Sequence, residues 1–185
     1  FANARSANAV ADALVLDRPP AFRVIGPLSW SGVDSSGVRA ARRPPDAPPP
    51  EQRPAVILLP GILGSHLAEG GKRIWLSWRL IGGLSRLRWR GEDAERDGAI
   101  RPDAPIGMFY DDLADHLAAS HEVIAFAFDW RRPIEDEARR LADAVARELT
   151  LRDGSRQPVR LLAHSMGGVL ARTMQIVAPE VWDRM

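Results

Sequence analysis

Two short apolar runs, AVILLPG at 55–61 and EVIAFAF at 122–128, stand out because each stays apolar with no polar alternation. A run of this kind, the first closed by Pro60 and Gly61, reads as a strand buried on both faces of a sheet. PVRLLAHS at 158–165 supplies a third strand. Between the runs the period changes. MFYDDLADHLAAS at 108–120 repeats Phe109, Leu113 and Leu117 at helical spacing, with Asp111, Asp112 and Asp115 set against them. That pattern predicts an amphipathic helix whose apolar side carries those three residues. IEDEARRLADAVARELTLRDG at 134–154 places acids early, arginines late and Gly154 at its close, which suits a helix dipole and a helix C-terminus. GGVLARTMQIVA at 167–178 predicts a third helix. Buried strands alternating with helices imply an α/β fold with right-handed crossovers. Three or four strands make an incomplete, mostly parallel sheet flanked by helices.

The sheet pattern starts only after Pro54. Residues 42–54, RRPPDAPPPEQRP, contain six prolines and read as a stiff, extended linker. Before it lie NAVADALVL, expected as a short helix, and FRVIGPLSW, expected as a strand, both too brief for a core of their own. Residues 1–54 are therefore expected to be an appendage, and 55–185 the N-terminal part of the α/β domain.

Composition excludes more than it selects. The 25 basic and 24 acidic residues are spread along the chain and leave a net charge of +1, which draws neither nucleic acid nor a membrane to the whole surface. Without cysteine there is no disulfide framework, thiolate metal site or cysteine nucleophile. No cofactor and no metal is expected. AVILLPGIL is far too short to cross a bilayer, so no transmembrane segment is expected. A chain beginning at Phe1 without a basic, apolar, small-residue progression carries no signal-peptide pattern. Its start reads as processed or excised, and a cytoplasmic location is the expectation.

In a parallel sheet the loops at the carboxyl ends of the strands converge on one crevice. Here those loops are PGILGSH, DWRRP and HSMGG. A serine hydroxyl attacks a carbonyl only if it is exposed, has a base to take its proton and has donors aimed at the developing oxyanion. A sharp turn from strand to helix would expose Ser165, provided that Ala163 and Gly167, two residues to either side, are small enough for strand and helix to approach. His164, beside Ser165 in that turn, is expected to point away from the hydroxyl.

The segment Ala163-His164-Ser165-Met166-Gly167 resembles the nucleophile elbow of α/β-hydrolases, with alanine in place of the first glycine. That resemblance implies an oxyanion hole made by the backbone N–H groups of Ile62 and Met166, with Gly61 and Gly64 freeing the loop to approach substrate and to adopt positive φ. PGILGS at 60–65, the helix with Phe109, FDWRRP at 128–133 and HSMGG follow one another as in lecithin:cholesterol acyltransferase-like enzymes, including their lysosomal phospholipase relatives. The resemblance covers roughly residues 55–178. Asp129-Trp130-Arg131 looks like that family's strand-end signature, and IWLSW at 74–78 is similar to a tryptophan-bearing stretch of it. For Asp129, Trp130 and Arg131 a structural role, a salt-bridged loop braced by a ring, is favoured over direct catalysis. The implied function is a serine hydrolase or acyltransferase acting on lipid carboxylic esters.

More than forty residues separate Ser65 from Gly107, so a cap or lid-like insertion is expected at about 66–107. Within 74–90, Trp75, Trp78 and Trp89 mix with Leu80, Ile81, Leu84 and Leu87 and with Arg79, Arg86, Arg88 and Arg90. This composition suits peripheral contact with lipid. It equally suits a cap packing its tryptophans on the core, the reading favoured because Gly82 and Gly83 break the helical pattern.

An α/β-hydrolase triad runs serine, acid, histidine along the chain, and here the order stops at serine. His116 and His121 fall at the wrong edge of the sheet. His66 follows the oxyanion loop at the correct edge but has no base role in the family. Two readings therefore stand: an excised or truncated hydrolase, or a non-catalytic binding or regulatory module on the same scaffold.

Overall fold

The computed structural model describes residues 38–40, 46–70, 72–75, 87–89 and 100–185. Its main sheet has four strands, β1 (Val38–Ala40), β2 (Ala55–Leu59), β6 (Glu122–Phe126) and β7 (Val159–Ala163), in the order β1-β6-β2-β7. β6 and β7 both run parallel to β2, which aligns Ile57 with Ile124 on one side and with Leu161 on the other. β1 runs antiparallel to β6. The fold is an incomplete α/β-hydrolase fold, a small and mostly parallel sheet flanked by helices.

All five residues of β2 and of β6 are buried, as apolar runs demand, the one charged member, Glu122, being paired with Arg53. Alternate side chains go to opposite faces. Ala55, Ile57 and Leu59 join Ile124 and Phe126 under α2 (Ile134–Arg152) and α3 (Met166–Val177), where Leu141, Val145, Leu170 and Met174 complete the larger core. Val56, Leu58 and Val123 face the other way, onto α1 (Gly107–Ala118). A short helix, α4 (Pro179–Trp182), follows α3.

This layering follows from the strand order. The crossover from β2 to β6 moves to one side of β2, and the return from β6 to β7 passes to the other; with the same handedness, their helices land on opposite faces. The chain leaving β2 turns to the α1 face, whereas the chain leaving its neighbour β7 turns to the α3 face. At such a divergence the loops leaving the carboxyl ends of β2 and β7 are the place to look for a site.

α1 does not bury the side its periodicity suggests. Tyr110, Ala114 and Ala118 are buried, Leu117 partly so, while Phe109 is 62% and Leu113 39% exposed. The helix is rotated by about one residue, roughly 100°, from the apolar stripe of Phe109, Leu113 and Leu117. Two alanines on the inner side let the helix lie close to the sheet, and Tyr110 finds hydrogen-bond partners there. β7 also differs from its neighbours. Only Val159 is fully buried, and Leu162 and Ala163 are exposed, since β7 is an edge strand among the described residues.

The boundary expected at residue 54 is crossed by several interactions. β1, inside the segment expected to be an appendage, extends the sheet. Buried Arg53 donates to the Ala118 carbonyl at 2.6 Å and pairs with Glu122 at 3.4 Å. Arg152, expected to serve the helix dipole, is buried and donates to the carbonyls of Arg53 and Pro50, each at 2.9 Å. The expected helix at NAVADALVL and strand at FRVIGPLSW lie outside the described residues.

In the expected insertion, β3 (Ser65–Glu69), β4 (Lys72–Arg73) and β5 (Arg101–Pro105) form a second, antiparallel sheet in the order β4-β3-β5. Two tryptophans there are half-buried. Trp75 meets Trp130 edge-on, with ring centroids 5.6 Å apart, and Trp89 lies under the Arg132 guanidinium at 5.7 Å. Trp78, Arg79, Leu80, Ile81, Leu84, Arg86 and Arg90 lie outside the described residues. Among the described residues no helix is long and apolar enough to cross a membrane.

Candidate active site

The loops that leave β2 and β7 meet at the carboxyl ends of those strands. Ser165 sits at the tip of the turn from β7 into α3 and is exposed. Its backbone has φ 52° and ψ −118°, a conformation that costs an L-residue on the order of 1–3 kcal/mol and recurs at functional turns. His164 N–H holds to the Leu59 carbonyl at 3.0 Å, and Gly167 N–H closes the turn onto the His164 carbonyl at 2.9 Å. A Cβ on Gly167 would stand 2.6 Å from the Leu59 carbonyl oxygen and 2.7 Å from that of Pro60. The start of α3 therefore packs backbone against backbone on the end of β2. Ala163, expected to share this crowding, is exposed at the sheet edge.

The loop after β2 lies against the same turn. A Cβ on Gly61 would come 3.2 Å from Ser165 Cβ and 3.1 Å from His164 Nδ1. Gly64 is enclosed as well, since its Cβ would meet the Gly61 carbonyl at 2.8 Å. Neither glycine uses positive φ; in this loop that conformation belongs to Leu63, at 61°. The glycines are needed for close approach instead.

Ile62 is 58% exposed, and its N–H, like that of Met166, meets no acceptor among the described residues. Met166 is the first residue of α3, where a helix leaves its N–H groups unpaired and carries partial positive charge. Two unpaired donors thus belong to loops that border one exposed hydroxyl. Leu63, next to Ile62, and Met108 and Phe109 in the first turn of α1 are exposed apolar residues.

Asp129, Trp130 and Arg131 brace the back of the loop. Arg131 Nε donates to Asp129 Oδ1 at 2.8 Å and Nη2 to Oδ2 at 2.5 Å, and the Arg131 N–H adds a bond at 3.1 Å. Both carboxylate oxygens are committed to this fork, and the Asp129 side chain is fully buried. Arg131 also donates to the Leu87 carbonyl at 3.3 Å. The Trp130 indole donates to the Ser65 carbonyl at 3.4 Å, the Trp75 indole to the Leu63 carbonyl at 3.0 Å, and the Phe128 N–H to buried Ser65 Oγ at 3.2 Å.

Below this fork lies Glu137, in the first turn of α2. Burial pushes its carboxyl up from the ordinary value, and nearby Asp129 adds to the rise, against the pull of Arg140 and Arg132. Arg140 bonds one oxygen, while Arg132 Nε stands 3.7 Å from the other without a hydrogen bond.

Among the described residues no side chain accepts the Ser165 proton. His164 Nδ1 meets the Tyr110 hydroxyl at 3.0 Å. His66, on β3, has Nδ1 3.2 Å from the Trp75 carbonyl. His121 Nδ1 meets the Ser120 hydroxyl at 2.8 Å, and both it and His116 lie at the opposite edge of the sheet. Reading along the sequence did not single out Tyr110, whose hydroxyl touches both loops. Its one signal was to be the sole tyrosine of the chain.

The strand order, with helices on both faces, gives the α/β class, and the family match that follows gives the α/β-hydrolase fold. Residues 108–184, which span α1, β6, α2, β7 and α3, match the family model described as lecithin:cholesterol acyltransferase, and this part of the chain is similar to that family. The kind of enzyme that match indicates is an acyltransferase or esterase of lipid metabolism. No curated protein and no solved structure matches the chain.

Proposed function

We propose that the chain carries the nucleophile and oxyanion hole of a serine hydrolase or acyltransferase acting on lipid carboxylic esters. The observation that carries this reading is the strained, exposed Ser165 turn with Gly61 packed against it. Ser165 Oγ attacks the ester carbonyl carbon and gives up its proton to a base. The N–H groups of Ile62 and Met166 stabilise the tetrahedral oxyanion. Collapse of that intermediate expels the alcohol, to which the proton returns, and leaves an acyl-enzyme. Water or a second alcohol then attacks, releasing acid or a new ester. Exposed Ile62, Leu63, Met108 and Phe109 suit an apolar acyl group. Peripheral lipid contact through 74–90 belongs to the same proposal, and binding of the protein to anionic vesicles, measured by sedimentation, tests it.

A second reading, a non-catalytic binding or regulatory module, is favoured by one observation: among the described residues the Ser165 hydroxyl has no partner. The two readings part on a fluorophosphonate probe applied to the protein as the cell makes it. Labelling mapped to Ser165, and abolished in Ser165→Ala, is the expected result; absence of labelling would sink the catalytic reading.

A further inference from the structure

Tyr110 is buried on the inner side of α1, and its hydroxyl reaches the junction of the two loops. The Gly61 N–H donates to it at 2.9 Å, and it meets Nδ1 of His164 at 3.0 Å. The hydroxyl accepts from Gly61 and shares one further hydrogen bond with Nδ1, as donor or as acceptor according to the imidazole tautomer. A single oxygen thus joins the loop after β2 to the residue preceding Ser165. We infer that Tyr110 is a positioning residue: its hydroxyl locks the 61–64 loop onto the serine turn and sets the direction of the Ile62 N–H. This rests on the roles proposed above for Ser165 and Ile62.

The reason lies in the peptide between Gly61 and Ile62. A trans peptide is planar, so the Gly61 carbonyl and the Ile62 N–H point in opposite directions. The carbonyl is held by Gly64 N–H at 3.0 Å, which fixes the plane at one end. Tyr110 holds the preceding N–H, at Gly61 itself, so the plane cannot swing about its entry bond. With both ends held, the Ile62 N–H faces away from the Gly64 turn. Without the hydroxyl, the Gly64 bond alone would remain, and the loop would keep its shape but lose its registration on Ser165. Donors placed before the reaction act on the transition state more than on ground-state binding.

The test is Tyr110→Phe, which keeps the packed ring and deletes only the oxygen. Fluorophosphonate labelling of Ser165 is followed against probe concentration, and amide hydrogen exchange at Gly61 and Ile62 is measured in parallel. The maximal labelling rate should fall about tenfold to a hundredfold, with the half-saturating concentration nearly unchanged, as for a misplaced donor. Exchange at Gly61 should accelerate by about tenfold or more while global unfolding stays cooperative. In a cycle with His164→Ala, the double variant should label no more slowly than the slower single one, because both break one chain of bonds. Faster exchange with an unchanged labelling rate would overturn the positioning role, as would unchanged exchange. A loss confined to the half-saturating concentration would overturn it too. If Ser165 were inert in the unaltered protein, the proposed function would fail, and the exchange measurement would still decide whether Tyr110 clamps the loop.

Discussion

The two loops that border Ser165 keep their shapes by different means. The serine turn is held mainly by steric fit: a strained φ at Ser165, the absence of a side chain at Gly167 where it meets the end of β2, and short backbone bonds within 164–168 and to Leu59. The loop after β2 is held from outside. Its N–H and carbonyl groups go to Tyr110, Trp75, Ile106 and Trp130, which are distant in sequence. A turn built on steric exclusion should fail abruptly when a methyl group is added. A loop built on dispersed hydrogen bonds should fail by degrees.

The largest effect is expected at Gly167. Gly167→Ala puts a methyl group against two main-chain carbonyls that a flexible side chain cannot yield for, and should cost about 3 kcal/mol by overpacking, read from urea unfolding. A loss below about 1 kcal/mol would mean that the turn has slack and that the contrast is wrong. On the loop side, Trp130→Phe keeps the ring near Trp75 but removes the indole donor to the Ser65 carbonyl, a bond long at 3.4 Å. It should cost about 0.5–1.5 kcal/mol and slow Ser165 labelling only mildly, since the other holds remain.

Glu137, beneath the Asp129–Arg131 fork, gives the stability of the protein a pH dependence. Its folded pKa lies above the ordinary 4.5, chiefly through burial, so the folded state binds that proton more tightly than the unfolded chain. This contribution is fully present below the unfolded value and is lost as pH rises through the folded one. Glu137→Gln should therefore flatten the fall in stability across the acid range, visible in urea midpoints measured at several pH values. A parallel slope in both proteins would remove Glu137 from the account. The smallest effect is expected one residue beyond the crowded glycine. A Cβ on Gly168 meets nothing within 4 Å, so Gly168→Ala should raise stability by about 0.5 kcal/mol. Two adjacent glycines would then respond with opposite signs.

Much of this architecture was legible in the chain because burial leaves a direct mark on composition. AVILL and VIAF are apolar because both faces of β2 and β6 are covered, and α2 ends within two residues of the position that Gly154 suggests. α1 was legible as a helix but not in its rotation. Phe109 and Leu113 are the larger apolar residues, yet the alanines at 114 and 118 take the inner side. Hydrophobic periodicity ranks side chains by transfer energy and not by how closely a helix must approach a sheet. β1 went unread for a related reason: a three-residue strand, VRA, has no period to detect and forms only because the edge of β6 is there to pair with.

At the candidate site the division is just as physical. Local chemistry within the sequence determined the turn at Ser165, since small residues around a serine between strand and helix specify their own geometry. It also marked PGILGS as the loop to pair with it, through glycines whose missing side chains allow two backbones to meet. Only the tertiary structure decided which atoms hold that loop in register. Tyr110 acts across 49 residues to Gly61 and 54 to His164, and nothing in its neighbours along the chain records either partner. A hydrogen bond between remote segments depends on the angle at which a helix settles on a sheet. That angle belongs to the packing of the whole core and not to any stretch of residues.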